Sequence, residues 1–264
     1  MSKVKMPMIT VVTPSYNAEK MIGRTIQSVL DQSWLDWEML IVDDCSSDAT
    51  RDVVASYIAE DSRIRLIALD VNHGAPAAPR NIGVREAKGR WIAFLDADDI
   101  WHPEKLTQQI AAAESKGGKF LSTQMKDFWD DKLLCFPAVG SASVELVTFG
   151  KQRLKGRIPT SSVLVLRELM LQFPFNEDIR YKAVEDYHCW MRILESGVKH
   201  WKVKFPLLCY RRIAGQISGS KKYMLERMHM VHREFPNTNS LQAIFFTLTH
   251  ALGGFYYRIL KKGL

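Results

Sequence analysis

At 264 residues the chain has room for one large domain, or for one domain with a substantial tail, and its 47% hydrophobic content supplies a sizeable core. The net charge of +7 points to anionic partners: nucleic acid, a phosphate-bearing ligand or an acidic membrane surface. The absence of a fixed-period repeat, a low-complexity tract or a basic recognition motif argues against solenoids, disordered chains and nucleic-acid binders.

Cys45, Cys135, Cys189 and Cys209 form no CxxC pair, a usage that fits reduced thiols and a cytosolic compartment. MSKVKMPMITVV runs directly into a strand-like segment, so no cleavable signal peptide is expected.

In chain order, Ile9–Thr13 is a β-branched run and reads as a buried strand, and Glu19–Leu30 carries apolar residues at helical spacing. Glu38–Val42 is a second strand. DDCSSDAT then offers capping residues for a helix with Val53, Val54, Tyr57 and Ile58 on one face. Ile64–Leu69 is a third strand, Pro79–Ala87 a short helix, Trp91–Leu95 a fourth strand, and Pro103–Lys116 a helix with proline in its first turn. The second half alternates less clearly. Ser162–Leu166 and Pro206–Arg211 read as strands and Val184–Ser196 as a helix, and from about 220 the pattern is helical and basic.

Strands alternating with helices predict βαβ units on a mostly parallel sheet, an α/β fold whose ligands sit beyond the carboxyl ends of the strands. Three polar tips fall there. The first strand is followed by Pro14-Ser15-Tyr16-Asn17, the second by Asp43-Asp44, and the fourth by Asp96-Ala97-Asp98-Asp99.

Hard-oxygen cations such as Mg²⁺ and Mn²⁺ take one or two carboxylates and complete their shell with substrate phosphates. Asp96 and Asp98 together fit that role, because no helix cap needs both, whereas Asp99 is expected to cap the helix leading from Pro103. Asp43 and Asp44 alone would be turn formers. Sharing a rim with the other tips, they suit a base- or ribose-binding role, and Tyr16 suits a stacking platform.

These residues carry a resemblance. VVTPSYNAEKMIGRTIQSVLDQSWLDWEMLIVDDCSSDAT, GAPAAPRNIGVREAKGRWIAFLDADDIWHPEKL and AVEDYHCWMRILESG occur in that order over roughly positions 9 to 212. The set resembles the family 2 glycosyltransferases, which have the GT-A fold. The resemblance implies a Rossmann-like sheet flanked by helices in a catalytic domain over 1–215, with a nucleotide-sugar half at 1–118, an acceptor half at 119–215 and a helical extension at 216–264.

It also implies roles. Pro14 and Tyr16 would border the base with Asn17 on the same loop, Asp44 would bond the base edge, and Asp43 would lie nearby. Arg80 would sit near the diphosphate or ribose. The family usually has alanine before that arginine, and Pro79 departs from it. Asp96 would approach the ribose and a Mn²⁺ or Mg²⁺ ion that Asp98 ligates. Asp186 would be the base of an inverting transfer from a nucleotide sugar, most simply a UDP-sugar, with Glu185 orienting it. On residues alone, Asp186 reads as an ordinary first-turn helix acid favoured by the helix dipole. The acceptor would be a glycan or lipid-linked saccharide in bacterial polysaccharide or lipopolysaccharide synthesis.

Two other functions fit less well. A sugar nucleotidyltransferase would carry a glycine-rich loop after the first strand, and TPSYNAEK has no glycine. A non-catalytic sugar- or membrane-binding module would not need Asp96, Asp98 and Asp186 together. Tyr210-Arg211-Arg212 followed by GQISGSK resembles the family's segment that closes over the donor, where Arg211 or Arg212 would contact phosphate or form a solvated basic turn. His73, His102 and His188 have no metal-ligand spacing and read as structural.

Between 241 and 260, Leu241, Ile244, Phe245, Leu248, Leu252, Phe255 and Ile259 share a helical face, followed by Lys261 and Lys262. Gln242, His250 and Arg258 argue against a membrane span. Two readings stay open: a helix lying in an anionic membrane interface, peripheral on the cytoplasmic face of the inner membrane, or packing against protein.

Overall fold

The computed structural model describes residues 8–131, 134–140, 142–213, 221–235 and 238–259. The first strands are the most buried. β1 (Ile9–Ser15) and β2 (Trp37–Asp43) are covered on both faces, which is why their sequences are continuous apolar runs and do not alternate. With β3 (Ile64–Ala68) and β4 (Trp91–Phe94) they form a parallel sheet in the order β3-β2-β1-β4. The connections are α1 (Ile22–Leu30), α2 (Thr50–Glu60) and α3 (Ala77–Glu86).

α3 lies close on the sheet because Gly83 faces Val12, where an added Cβ would meet Val12 Cγ1 at 2.4 Å. Pro79 is no obstacle to this helix. It stands in the first turn, where its missing N–H would have had no intrahelical partner.

Beyond β4 the pairing is mixed. β5 (Ile100–Trp101), α4 (Lys105–Lys116), β6 (Phe120–Phe128), β7 (Val144–Val147), α5 (Phe149–Leu154), β8 (Leu164–Leu166), α6 (Arg167–Gln172), α7 (Glu185–Glu195) and β9 (His200–Arg211) complete the domain. The sheet continues β4-β8-β6-β9-β5. β8 is antiparallel to both of its neighbours, β6 is parallel to β9, and β7 pairs antiparallel with β9. The parallel pattern expected from the alternation therefore holds for β1 to β4, while beyond them only the β6–β9 pair among the described strands is parallel.

β9 also starts earlier than its sequence suggests. Pro206 lies inside it, where the register against β6 shifts between Thr123 and Met125, so an irregularity absorbs the missing N–H.

The core spans both halves of the sheet, with Phe94, Phe120, Phe175 and Trp190 in edge and tilted ring contacts. Two helices follow, α8 (Lys221–Glu234) and α9 (Ser240–Ile259). Met228, Val231 and Phe235 of the α8 region bury against Tyr181, Val184, Tyr187 and Met191, so the extension rests on α7. In α9, Ala243 and Thr247 are buried and Phe246 stacks on Arg153 at 4.0 Å. Leu241, Ile244, Phe245, Leu248 and Leu252 point outward and are exposed. The side chains of Phe255 and Ile259 lie outside the described residues. Among the described residues no helix is long and apolar enough to cross a membrane.

Candidate active site

The polar tips meet at the carboxyl ends of β1, β2 and β4. Asp44 N donates to the Ser15 carbonyl at 2.8 Å, which ties the first two tips together. Asp43 is fully buried and accepts from Ser15 Oγ, Ser46 N, Ser46 Oγ and Arg51 Nε, so its carboxylate organises the loop behind the rim. Asp44 is gripped by His73, through the backbone N at 3.0 Å and the ring Nδ1 at 2.8 Å. Asn17, at φ 46°, accepts from Ser47 N at 2.9 Å and pins the β1 loop to the β2 loop. Pro14 is buried beneath this loop, while Tyr16 is 54% exposed.

The acidic turn after β4 is held from three sides. Thr25 Oγ1 donates to the carbonyls of Ala97 and Asp99, each at 2.9 Å. Ser161 Oγ accepts from Asp96 N at 3.1 Å. Arg211 donates its Nε to the Asp98 carbonyl at 2.7 Å and its backbone N to Asp99 Oδ1 at 3.0 Å.

Asp99 is not the expected helix cap. α4 begins after Glu104, and Asp99 is wholly buried, where desolvation and then the charges of Asp98 and Asp96 push its carboxyl well above the usual range. Its place just before β5, under β9, explains the difference: it stitches two strands. Arg211 and Arg212 also differ from expectation. Arg211 is buried behind the turn, and Arg212 pairs with Asp127 at 2.9 Å. The GQISGSK stretch at 215–221 lies largely outside the described residues.

Arg80, on the first turns of α3, joins the turn to α7. Its Nη2 is 2.7 Å from Asp96 Oδ1 and its Nη1 is 2.8 Å from Glu185 Oε1. Burial opposes its charge, but Asp96, Glu185 and Asp186 outweigh that penalty and keep it protonated. Burial raises the Glu185 carboxyl to about 7 against the pull of Arg80. It also raises Asp186, which Arg80 and a hydrogen bond from Thr160 Oγ1 at 2.7 Å counteract. Ala183 enters this segment at φ 72°, a left-handed backbone that costs a non-glycine residue about 1 kcal/mol and turns the chain so that Glu185 and Asp186 open the helix.

Several contributors carry no motif of their own. His73 reads as structural in the sequence yet clasps Asp44. Thr160, Ser161 and Ser162 form a single 3₁₀ turn that bonds Asp186 with one hydroxyl and Asp96 N with the next. That turn is fixed from below by Trp101 Nε1 on the Ser161 carbonyl at 2.7 Å and Gln109 Nε2 on the Ser162 carbonyl at 2.9 Å. The string PTSSV offers only a turn before a strand.

The donor set suits a hard cation. Asp96 and Asp98 are partly exposed carboxylates on a fixed turn, and among the described residues no three His, Cys, Asp or Glu side chains stand together to hold an ion alone. An ion held there would need further oxygens from a ligand, as Mg²⁺ and Mn²⁺ take from diphosphates.

Known proteins are similar to this chain in sequence and in fold. The profile described as Glycosyl transferase family 2 matches residues 10–136. TuaG of Bacillus subtilis (strain 168), named for teichuronic acid biosynthesis, is 33% identical over 93% of this chain and 95% of its own. WfgD of Escherichia coli, named as a UDP-Glc:alpha-D-GlcNAc-diphosphoundecaprenol beta-1,3-glucosyltransferase, is 32% identical over 94% and 93%. Staphylococcus aureus TarS 1–349, solved with UDP-GlcNAc, superposes with a TM-score of 0.72 at 20% identity, over 95% of this chain and 76% of that one. The fold is GT-A, and the chain is an enzyme of glycosyl transferase family 2.

Proposed function

We propose that the enzyme transfers a sugar, with inversion, from a UDP-sugar to a hydroxyl of a lipid-linked saccharide in the synthesis of a bacterial cell-surface polysaccharide. Residues 1–215 are the catalytic domain in this reading and 216–264 its extension. Tyr16 stacks on the base above Pro14 and Asn17, Asp44 meets the base edge with Asp43 in support, and Arg80 and Asp96 approach the ribose and diphosphate. Asp98 and Asp96 hold Mn²⁺ or Mg²⁺, which when bound neutralises charge on the departing diphosphate.

Asp186 takes the proton of the acceptor hydroxyl as the oxygen attacks the anomeric carbon. Glu185 and Arg80 orient it, and Thr160 holds one of its oxygens. The observation that carries the reading is Arg80, whose two ends grip the acidic turn and the neighbour of Asp186, so base and diphosphate site share one buried cation. The name of WfgD, which carries UDP-Glc and a diphosphoundecaprenol acceptor, supports the choice of donor and acceptor class.

Release of UDP from a UDP-sugar with a saccharide acceptor is the direct test, and pyrophosphate release would indicate a nucleotidyltransferase instead. Asp98→Ala should weaken metal-dependent UDP binding. Asp186→Asn should bind UDP normally and lose transfer by about two to four orders of magnitude. Transfer by Asp186→Asn at the wild-type rate would remove the base from the mechanism.

The lipid acceptor gives the outward face of α9 a place in this reading. Leu241, Ile244, Phe245, Leu248 and Leu252 form an exposed apolar stripe, and after Glu234 the chain has no acidic residue, only Arg258, Lys261 and Lys262. That pairing suits an anionic bilayer on its cytoplasmic face. Phe245→Asp with Leu248→Asp should abolish sedimentation with phosphatidylglycerol vesicles. Retained sedimentation, or a wild-type dimer that the double variant dissolves, would reject it.

A further inference from the structure

Where β7 and β9 meet the segment leading to Thr160, cations outnumber their counter-ions. Glu145 and Lys202 are cross-strand partners. Lys151 Nζ donates to Glu145 Oε1 at 3.2 Å, and Arg157 and Lys204 add their fields to hold that carboxyl below the usual range. Lys202 Nζ donates to the Arg157 carbonyl at 2.6 Å. Burial, then Arg157, with Lys155 beyond it, lowers Lys202 to about 8, and only Glu145 pulls the other way. Arg157 Nε is buried and has no hydrogen-bond partner among the described residues.

Among the described residues, Lys151, Arg157, Lys202 and Lys204 thus gather about Glu145, and Lys155 adds its field at Lys202. Like charges at such spacing repel by about 1 kcal/mol or more per pair, and more where water is partly excluded. A bound anion with several oxygens would reverse the sign of that interaction, and the paired donors of arginine and the point charges of lysine fit phosphate.

The location matters as much as the charge. Arg157 stands three residues before Thr160, whose hydroxyl bonds Asp186. On the other side, Gly156 N faces His250 Nδ1 of α9 at 3.4 Å, and His250 Nε2 lies 3.0 Å from the Arg153 carbonyl. The cluster therefore lies on the stretch of chain between the base and the helix assigned to the bilayer. It also differs in kind from the donor site. There, carboxylates need a cation to meet a diphosphate; here, side-chain cations can meet one directly.

We propose that Lys151, Lys155, Arg157, Lys202 and Lys204 bind the diphosphate ester that joins the accepting sugar to its lipid. The proposal rests on the lipid-linked acceptor above and adds the surface that recognises it.

The test uses the full-length enzyme, saturating UDP-sugar, and two acceptors: N-acetylglucosamine on an alkyl diphosphate, and the alkyl glycoside without the diphosphate. Wild type should prefer the diphosphate. That preference, the ratio of the two kcat/KM values, should fall about tenfold in Arg157→Gln, the worth of one charge-assisted hydrogen bond. The pair Lys155→Gln and Lys204→Gln, at a half-buried and an exposed position, should lower it in the same direction with less risk to folding. Equal use of both acceptors by wild type, or an unchanged preference in both variants, overturns the proposal.

Phosphatidylglycerol vesicles separate the two sources of phosphate. Variants that lose vesicle binding while keeping the diphosphate preference would assign the cluster to bilayer headgroups and overturn it. If wild type turns over no UDP-sugar, the transfer reading fails separately, and titration of the alkyl diphosphate into UDP-saturated protein then decides the site. Binding that Arg157→Gln loses upholds it, and no binding ends it.

Discussion

Arg80 and Glu185, 105 positions apart in the chain, meet as a buried ion pair with Nη1 2.8 Å from Oε1, and the same guanidinium reaches Asp96. Removing one partner of such a pair leaves an uncompensated buried charge. Arg80→Met should therefore destabilise the fold by about 3 kcal/mol. Adding Glu185→Gln should recover a large part of that loss, because the orphaned carboxylate is gone. Denaturant midpoints of the two single variants and the double variant measure the coupling, and additive losses would mean that the pair is not coupled.

Thr160 should affect the reaction more than the fold. Thr160→Val removes the hydroxyl that donates to Asp186 Oδ2 at 2.7 Å, a bond that lowers the pKa of a carboxyl raised by burial. The expected result is a kcat lower by about tenfold, an acid limb of the pH–rate profile displaced to higher pH, and an unchanged KM for the UDP-sugar. Thr160→Ser should restore both. A loss of stability without movement of the acid limb would make the residue merely structural.

Arg211 supports the acidic turn from behind. Arg211→Gln gives up its bonds to the Asp98 carbonyl and to Asp131, so the turn should lose definition. Calorimetric titration should find UDP binding in the presence of Mn²⁺ weakened by about tenfold, with a smaller effect on UDP without the metal. Equal weakening under both conditions would point to general unfolding.

The extension should come loose in acid. His188, His232 and His250 sit where α7, α8 and α9 meet, and burial lowers them to about 4, 3 and 4. Arg192 adds to this at His188, and Arg153, His229 and Lys155 are the other cations facing the group, with Glu234 3.5 Å from His188. Between pH 6.5 and about 4 the unfolded chain binds protons that the folded one refuses, so stability present above pH 6.5 is lost as pH falls. The slope is at most about 1.4 kcal/mol per pH unit for each histidine. His232→Phe should flatten this dependence, as read from denaturant midpoints between pH 5 and 7. An identical slope in the variant would remove His232 from it.

The part of the site visible in the amino-acid string is the part built on local chemistry. A strand buried on both faces must be a continuous apolar run, so its end is marked, and acids placed at that end declare themselves; Asp44, Asp96 and Asp98 could be found that way. Asp186 needed the family resemblance, since a first-turn acid is ordinary by itself.

Asp99 shows the limit. Its neighbours in the chain suggest a cap, while its burial under β9 depends on Arg211, 112 positions away. Thr160, His73 and the pairing partners of Arg80 are likewise invisible to periodicity, because hydrogen bonds between distant residues leave no spacing to read. The positions of the first four strands along the chain and the polar residues at their tips were legible in the sequence alone. Tertiary structure decided which hydroxyl reaches Asp186 and which cation reaches Glu185, that β8 runs against both its neighbours, and which face of α9 stays bare, since each depends on surfaces that exist only once the sheet has closed.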